Sequence, residues 1–221
     1  MDLLSFLGNK TPKPDINWVT FPDFGWRQVK NEAGLLQWVS PDNASILSST
    51  FSDVRPDISG VEDIQALFER KRRDLSVYSG GIIRLEVIAI NNITAIEEIV
   101  KFPRKPFGVY YIGSLVIPFR DCCFTIRIQS VESGMTGLRD SKILNVSMAS
   151  GQVVATENGL RGWMKDPYDD TVKDGLLMNL SESEEYDLQF PSHPLSKVRD
   201  KLKTIKEDLQ FDKGIFDLPA F

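Results

Sequence analysis

Histidine and cysteine are nearly missing from this chain of 221 residues. The one histidine is His193, and the two cysteines, Cys122 and Cys123, stand side by side. A single histidine excludes a His-rich metal centre. Two adjacent thiols supply too few ligands for a Cys-based zinc site, and they build no disulfide framework. Strict alternation along a strand puts Cys122 and Cys123 on opposite faces, which predicts one core thiol and one outward thiol without a redox role. An excess of positive charge is missing too. Lys and Arg number 26 against 31 Asp and Glu, a net charge of −5. Nucleic-acid binding rests on Lys and Arg neutralising phosphates, so an acidic chain is a poor candidate for it.

Long hydrophobic runs are equally scarce. No stretch approaches the roughly 20 apolar residues of a spanning helix. The opening MDLLSFLGNKTPKP has a short apolar patch without a basic start and meets Lys10 at once, unlike a secretory signal. The expectation is a cytoplasmic protein with no membrane or nucleic-acid partner. Sequence signatures of common catalysts are absent as well. Gly80-Gly81 reads as a turn, and Gly134-Met135-Thr136-Gly137 lacks the lysine of a phosphate-binding loop. There is no Gly-x-Ser-x-Gly elbow. A Ser-His-Asp triad would have to use His193, which sits beside two prolines at a helix start, where a surface or capping hydrogen bond is the expected duty.

What is present is an ordinary folded composition, 42% hydrophobic and 26% charged, long enough for one large domain. The expected organisation is a single domain, 1–221, with a tail over 1–14 and a long connecting segment over 151–190. Short strands are predicted at Trp26–Lys30, Leu35–Val39 and Ala44–Phe51, with Trp18 and Phe21 adding a preceding one. The turn Asn31-Glu32-Ala33-Gly34 offers Gly34 for a positive φ. A second β block runs from Gly81 to about Glu132, with strands around Ile83–Ala89, Ile96–Phe102, Val109–Ile117 and Cys123–Val131. Their short connections require antiparallel pairing. Phe124, Ile126 and Ile128 alternate with Thr125, Arg127 and Gln129, so one face of the last strand is apolar.

Two helices stand out. Ser59-Gly60-Val61-Glu62 fits a capping box, and Val61, Ile64, Leu67, Phe68 and Leu75 share one face of the helix it opens. Glu62 and Asp63 at its start and Arg70 to Arg73 at its end suit the helix dipole. The basic run reads as a solvated helix end. Near the C-terminus, Leu195, Val198, Leu202, Ile205 and Leu209 recur at spacings of 3 and 4. A helix starting at Ser192 or Pro194 is predicted, docked on the sheet.

The segment from Gly151 to Phe190 has weak periodicity. Lys165 to Gln189 holds eight acidic and two basic residues, a net −6 that leaves +1 for the rest of the chain. Trp163 and Tyr168 are residue types that anchor interfaces. Trp163, Asp166, Tyr168, Asp169, Asp170, Glu184 and Glu185 are therefore the candidate binding residues, aimed at a protein partner with a basic surface. The plainer alternative is a solvated loop. The Asp-Pro-Tyr-Asp-Asp stretch does not match a calcium-loop spacing, and neither metal nor cofactor is expected. A second polar cluster is Glu132, Thr136, Arg139 and Asp140. Thr136 and Gly137 can open a helix whose N–H groups favour an anion, with Arg139 as a bidentate donor. Its alternative is an internal ion pair that orders the turn.

Gly25-Trp26 opening a three-stranded meander, then helix, second meander and closing amphipathic helix, resembles the PsbP/Mog-like superfamily. That resemblance covers most of the chain through Val131 and again from Leu195. It implies an α+β fold: an α/β/α sandwich around a twisted, mainly antiparallel sheet with an amphipathic C-terminal helix. It also implies binding to other macromolecules, not catalysis. Glu132-Ser133-Gly134-Met135-Thr136-Gly137-Leu138-Arg139-Asp140 and Phe190-Pro191-Ser192-His193-Pro194-Leu195-Ser196-Lys197-Val198-Arg199 resemble uncharacterised bacterial relatives. Some of those look like immunity or accessory proteins of toxin secretion systems. The leading expectation is a non-catalytic protein-binding module of that kind. The alternative is an enzyme with a carboxylate–arginine site around Glu132, Arg139 and Asp140, recognisable by a deep pocket holding all three.

Overall fold

The computed structural model describes residues 13–58 and 63–221. Two antiparallel meanders supply one seven-stranded sheet. The short strand β1 (Val19–Thr20) stands apart from it. The first meander is β2 (Arg27–Glu32), β3 (Leu35–Val39) and β4 (Ser45–Ser52). Helix α1 (Ile64–Ser76) then leads to the second meander, β5 (Gly81–Ile90), β6 (Ile93–Pro103), β7 (Val109–Pro118) and β8 (Cys123–Val131). The sheet order is β2-β3-β4-β8-β7-β6-β5. The meanders join where β4 pairs antiparallel with β8 from Ser45↔Ser130 to Ser52↔Cys123. The strands thus follow the expected segments, and a mixed α+β fold around an antiparallel sheet is what they build.

Alternation assigns the two faces. Phe124, Ile126 and Ile128 of β8 are buried beneath helix α3 (Pro194–Asp208), whose Leu195, Val198, Leu202 and Ile205 form the stripe predicted from spacing. The helix lies so close to β7 that a Cβ on Gly113 would stand 2.5 Å from atoms of Val198 and Leu202. On the opposite face α1 packs Leu67, Phe68 and Leu75 against Ile82, Leu85, Ile96 and Val100. Neighbouring residues on β6 make the division plain: Glu97 meets Lys206 of α3, and Glu98 meets Lys71 of α1.

Several local expectations change. The Ser59–Glu62 capping box and Val61 lie outside the described residues. The N-cap of α1 is Asp63, whose carboxylate accepts from the backbone N–H of Gln65 and Ala66. Gly34 does not take the left-handed conformation expected of it. Its place in the turn is set by proximity, since an added Cβ would lie 3.3 Å from the Phe51 carbonyl oxygen. The strand near Trp18 does not extend the first meander. Val19 and Thr20 pair with Phe211 and Gln210, beyond α3, so the two ends of the described chain meet. Cys122 is buried and Cys123 half-buried, both as free thiols.

Helix α2 (Leu138–Ala149) begins where Thr136 and Gly137 were expected to open a helix, with Gly137 as its N-cap. It inserts Ile143 into a small separate core with Val153 and Trp163, and Leu180, Tyr186 and Phe190 pack around them. Among the described residues no helix is long and apolar enough to cross a membrane.

Candidate functional site

The connecting segment over 151–190 is not a solvated loop. It runs along β5, an edge strand of the sheet, and is fastened there by its own acidic and aromatic residues. Tyr168 accepts, through its hydroxyl, the Leu85 backbone N–H at 2.7 Å. Its ring stacks on Phe68 of α1 at a centroid distance of 4.2 Å. The adjacent residue on β5, Arg84, is ion-paired to Glu184. Tyr168 and Glu184, sixteen positions apart in the segment, therefore land on consecutive residues of one strand. This cover also shields an exposed strand edge, a feature that otherwise invites intermolecular pairing.

Asp166 is buried and bidentate with Arg72, its two oxygens accepting from Nε at 3.0 Å and Nη2 at 2.7 Å. Burial works to raise the Asp166 pKa. The Arg72 pair and the backbone N–H groups of Tyr168 and Asp169 outweigh it and hold the carboxyl below its usual range. An Asp166 so engaged is not available as an oxygen ligand for calcium. Of the basic run at the end of α1, read as solvated, three members are in ion pairs, Arg70 with Asp57, Lys71 with Glu98, and Arg72 with Asp166, while Arg73 is exposed. Asp169 is turned into its own loop, where Oδ1 accepts from the Thr171 N–H and hydroxyl. Asp170, Asp174 and Glu185 form no ion pair among the described residues, and all three are exposed.

Trp163 departs furthest from its expected role. Expected to anchor an interface, it is 8% exposed and forms the centre of the small core under α2. Burying this large ring holds the segment in place more than it could serve a partner. A second fixed point lies deeper. Glu182 and Lys101 form a salt bridge of 2.7 Å, exposed by 1% and 3% respectively, and the Tyr111 hydroxyl donates to Glu182 at 2.7 Å. Burial and the adjacent carboxylate push the Tyr111 pKa well up.

Glu132, Thr136, Arg139 and Asp140 are close in sequence but form no ion pair with one another; Arg139 and Asp140 share Ser181, and Glu132 lies 3.6 Å from His193. Arg139 is buried and donates to the Ser181 and Ser183 carbonyls, to Asp187 and to the Ser196 hydroxyl. Asp140 accepts from the Ser181 hydroxyl and from Asn179. Glu132 takes the Gly137 N–H at 3.1 Å, and burial raises its pKa. Thr136 is exposed and stands against the Gly108 turn. Arg139 points into the protein, away from the start of α2, so no anion-binding helix start with a bidentate arginine is formed. His193 caps α3, its Nδ1 accepting the Leu195 N–H at 3.3 Å. Burial, and secondarily Arg139, lowers its pKa to about 3. The two stretches Glu132–Asp140 and Phe190–Arg199 thus converge at one node of Arg139, His193, Ser196 and Arg199, held together by Asp187.

Three clefts stand out among the described residues. A groove of about 900 Å³ follows α3 and brings Arg84, Glu97, Glu184, Asp187, Arg199 and Lys206 together. Their charges alternate and are mutually paired. A second cleft, of about 570 Å³, lies between the end of α1, the start of β5 and the loop 166–177. A third, of about 230 Å³, separates α1 from the middle of the sheet. Glu132, Arg139 and Asp140 line none of these three. Among the described residues no three His, Cys, Asp or Glu side chains are grouped to hold a metal ion. The residues that sequence reasoning missed are the cations: Arg72, Arg84, Lys101 and Arg199. The available signal was the segment's own net −6, since so many carboxylates beside a sheet require internal counter-charges.

No family model and no curated protein matches the chain. Among solved structures, cyanobacterial PsbP from Synechocystis sp. PCC 6803 is similar at 17% identity and a TM-score of 0.39, over 61% of this chain and 85% of that one. A putative regulator of unknown function from Pseudomonas aeruginosa is similar at 12% identity and a TM-score of 0.34, over 62% and 88%. A Bacteroides thetaiotaomicron protein is similar at 13% identity and a TM-score of 0.34, over 79% and 55%. These are distant likenesses of fold, PsbP-like in the first case.

Proposed function

We propose that the protein is a non-catalytic binding module that presents the acidic segment over 165–189 to a protein partner with a basic surface. The observation that supports this reading is the division of labour among the carboxylates. Asp166, Glu182, Glu184 and Asp187 pin the segment to Arg72, Lys101, Arg84, Arg139 and Arg199. Asp170, Asp174 and Glu185 are left outward on a fastened scaffold. A pre-ordered surface binds with less entropy cost than a loop that must order on contact, and a one-signed surface steers association. In its most specific form the proposal is an immunity or accessory protein of a bacterial toxin or secretion system, PsbP/Mog-like in descent and cytoplasmic. That form rests on the sequence resemblance alone. The carboxylate–arginine enzyme is the weaker reading, because Arg139 and Asp140 are engaged in holding the segment down.

Affinity capture from cells of the source organism, with wild-type protein and the Asp170→Lys, Glu185→Lys double variant as baits, tests the proposal. Both side chains are exposed and outside the ion-pair network, and Glu185 gives up only its bond to the Tyr186 hydroxyl, so the variant should stay folded, as its melting curve checks. Basic proteins retained by the wild type in low salt should be lost by the variant. Recovery of the same proteins by both baits overturns the acidic surface as the interface.

A further inference from the structure

We propose that the cleft between the end of α1, the start of β5 and the loop 166–177 receives a lysine-type side chain of the basic partner, its methylene stem along the walls and its ammonium group at the mouth. This deepens the proposed function and rests on the partner being basic. At about 570 Å³ the cleft has the size of small-ligand sites. Its walls include Leu75, Ile82, Pro103, Val172, Leu176 and Leu177. Such walls suit a side chain that buries its stem and keeps its charge in water.

Three independent features set the sign of the charge. The cleft is lined by Leu75, Ser76, Ser79 and Gly80, where α1 ends. A helix C-terminus carries partial negative charge. Asp174 lines the cleft, is exposed, and has no ion-pair partner among the described residues. Arg72, the cation lining the cleft, is neutralised by its two bonds to Asp166. Lys173 is turned to the backbone carbonyl of Asp170 and is not among the lining residues. The Arg72–Asp166 pair is neutral as a whole, so an anionic ligand would meet Asp174 and a helix C-terminus, whereas a cation meets complementary charge.

The cleft is built into the sequence and is not an accident of a loose loop. A Cβ on Gly81 would stand 1.7 Å from the Leu176 carbonyl oxygen, which leaves room for glycine alone. The backbone of the loop therefore rests directly on the first residue of β5. Tyr168 and Asp166 fix the loop's other end on Leu85 and Arg72.

Three probes of one shape decide the matter: n-hexylammonium, 1-hexanol and hexanoate, each titrated into isotopically labelled full-length protein and followed by amide chemical shifts. Hexylammonium should shift residues 75–82 and 172–177 saturably and bind tightest of the three. Asp174→Asn should weaken it about fivefold, the upper range for one exposed charge pair. Val172→Trp should fill the cleft and abolish binding. Asp174→Asn changes only an exposed side chain, so its result stands even if Val172→Trp perturbs folding. Hexanoate binding as well as hexylammonium, no saturable shift with any probe, or unchanged binding by Asp174→Asn overturns the proposal. Asp170 and Glu185 lie outside the cleft lining, which separates the two ideas. If the Asp170→Lys, Glu185→Lys variant keeps the partner while hexylammonium still fills the cleft, the acidic surface fails as interface and the cleft stands. If that variant loses the partner while hexylammonium fails to bind, only the cleft proposal falls.

Discussion

The guanidinium of Arg139 meets the carboxylate of Asp187 at 2.9 Å, across 48 positions of chain. One residue came from the cluster read as a possible anion site, and the other from the segment read as a free acidic surface. Each is the other's counter-ion. A charge that looks unbalanced along the sequence is here balanced in space.

This pairing predicts that Arg139→Lys is not a conservative change. Lysine keeps the charge but cannot reach Asp187, Ser196 and the Ser181 and Ser183 carbonyls from one planar group. Leaving buried acceptors without donors costs about 1–3 kcal/mol. Arg139→Met removes all of these donors and leaves Asp187 to Arg199 and the Ser196 hydroxyl, so it should cost at least as much as the lysine variant. Chemical denaturation measures both. Variants within about 0.5 kcal/mol of wild type would show that the node does not hold the segment.

Lys101 and Glu182 offer a cleaner case, because both are almost wholly buried. Lys101→Met and Glu182→Gln should each destabilise by about 3–5 kcal/mol, since each leaves its partner uncompensated in the interior. The double variant should cost much less than the two combined, and the coupling is read from a double-mutant cycle. Additive losses would contradict a direct buried pair.

These pairs also mark how far the sequence alone could be read. The strands and α3 were legible because apolar residues recur with periods of 2 and 3.6, as in Phe124–Ile128 and Leu195–Ile205. Sheet order was not, because the pairing of β4 with β8 depends on distant residues. Of helix α2 only the start at Thr136 and Gly137 was legible, because Arg139, the residue it buries most fully, looks polar in sequence. Trp163 was recognised as an anchor, but its partners Ile143 and Phe190 lie 20 and 27 residues away. Of the acidic residues, sequence found the cluster but not which members turn inward. That choice is made by Arg72, Arg84 and Arg199, which three other elements, α1, β5 and α3, bring to the segment.

The contact between α3 and β7 predicts a graded response. Leu202→Ala should cost about 2–5 kcal/mol by cavity formation. Gly113→Ala should destabilise by overpacking, about 1–3 kcal/mol or more, since its new methyl would stand 2.5 Å from Val198 and Leu202 atoms. A chain ending at Phe190 should lose cooperative thermal unfolding. A truncated chain melting like the intact one would mean that α3 is not needed to complete the core.

His193 sets the acid limb of stability. In the folded chain its Nδ1 accepts the α3 cap bond, and burial with nearby Arg139 keeps the ring neutral down to about pH 3. The unfolded chain protonates the same ring near its ordinary value of 6.5. Between those two values the unfolded state binds one more proton than the folded state, so stability falls as pH falls. The slope from this one group approaches about 1.4 kcal/mol per pH unit. Above pH 6.5 both states hold a neutral ring and the contribution is constant. His193→Asn keeps a side chain suited to capping but removes the titration. The stability difference between wild type and variant should therefore shift by about 3 kcal/mol in the variant's favour between pH 6.5 and 4. Urea unfolding of both proteins at half-unit pH intervals measures it. If the two curves stay parallel over that range, His193 titrates normally and is not the buried neutral cap of α3.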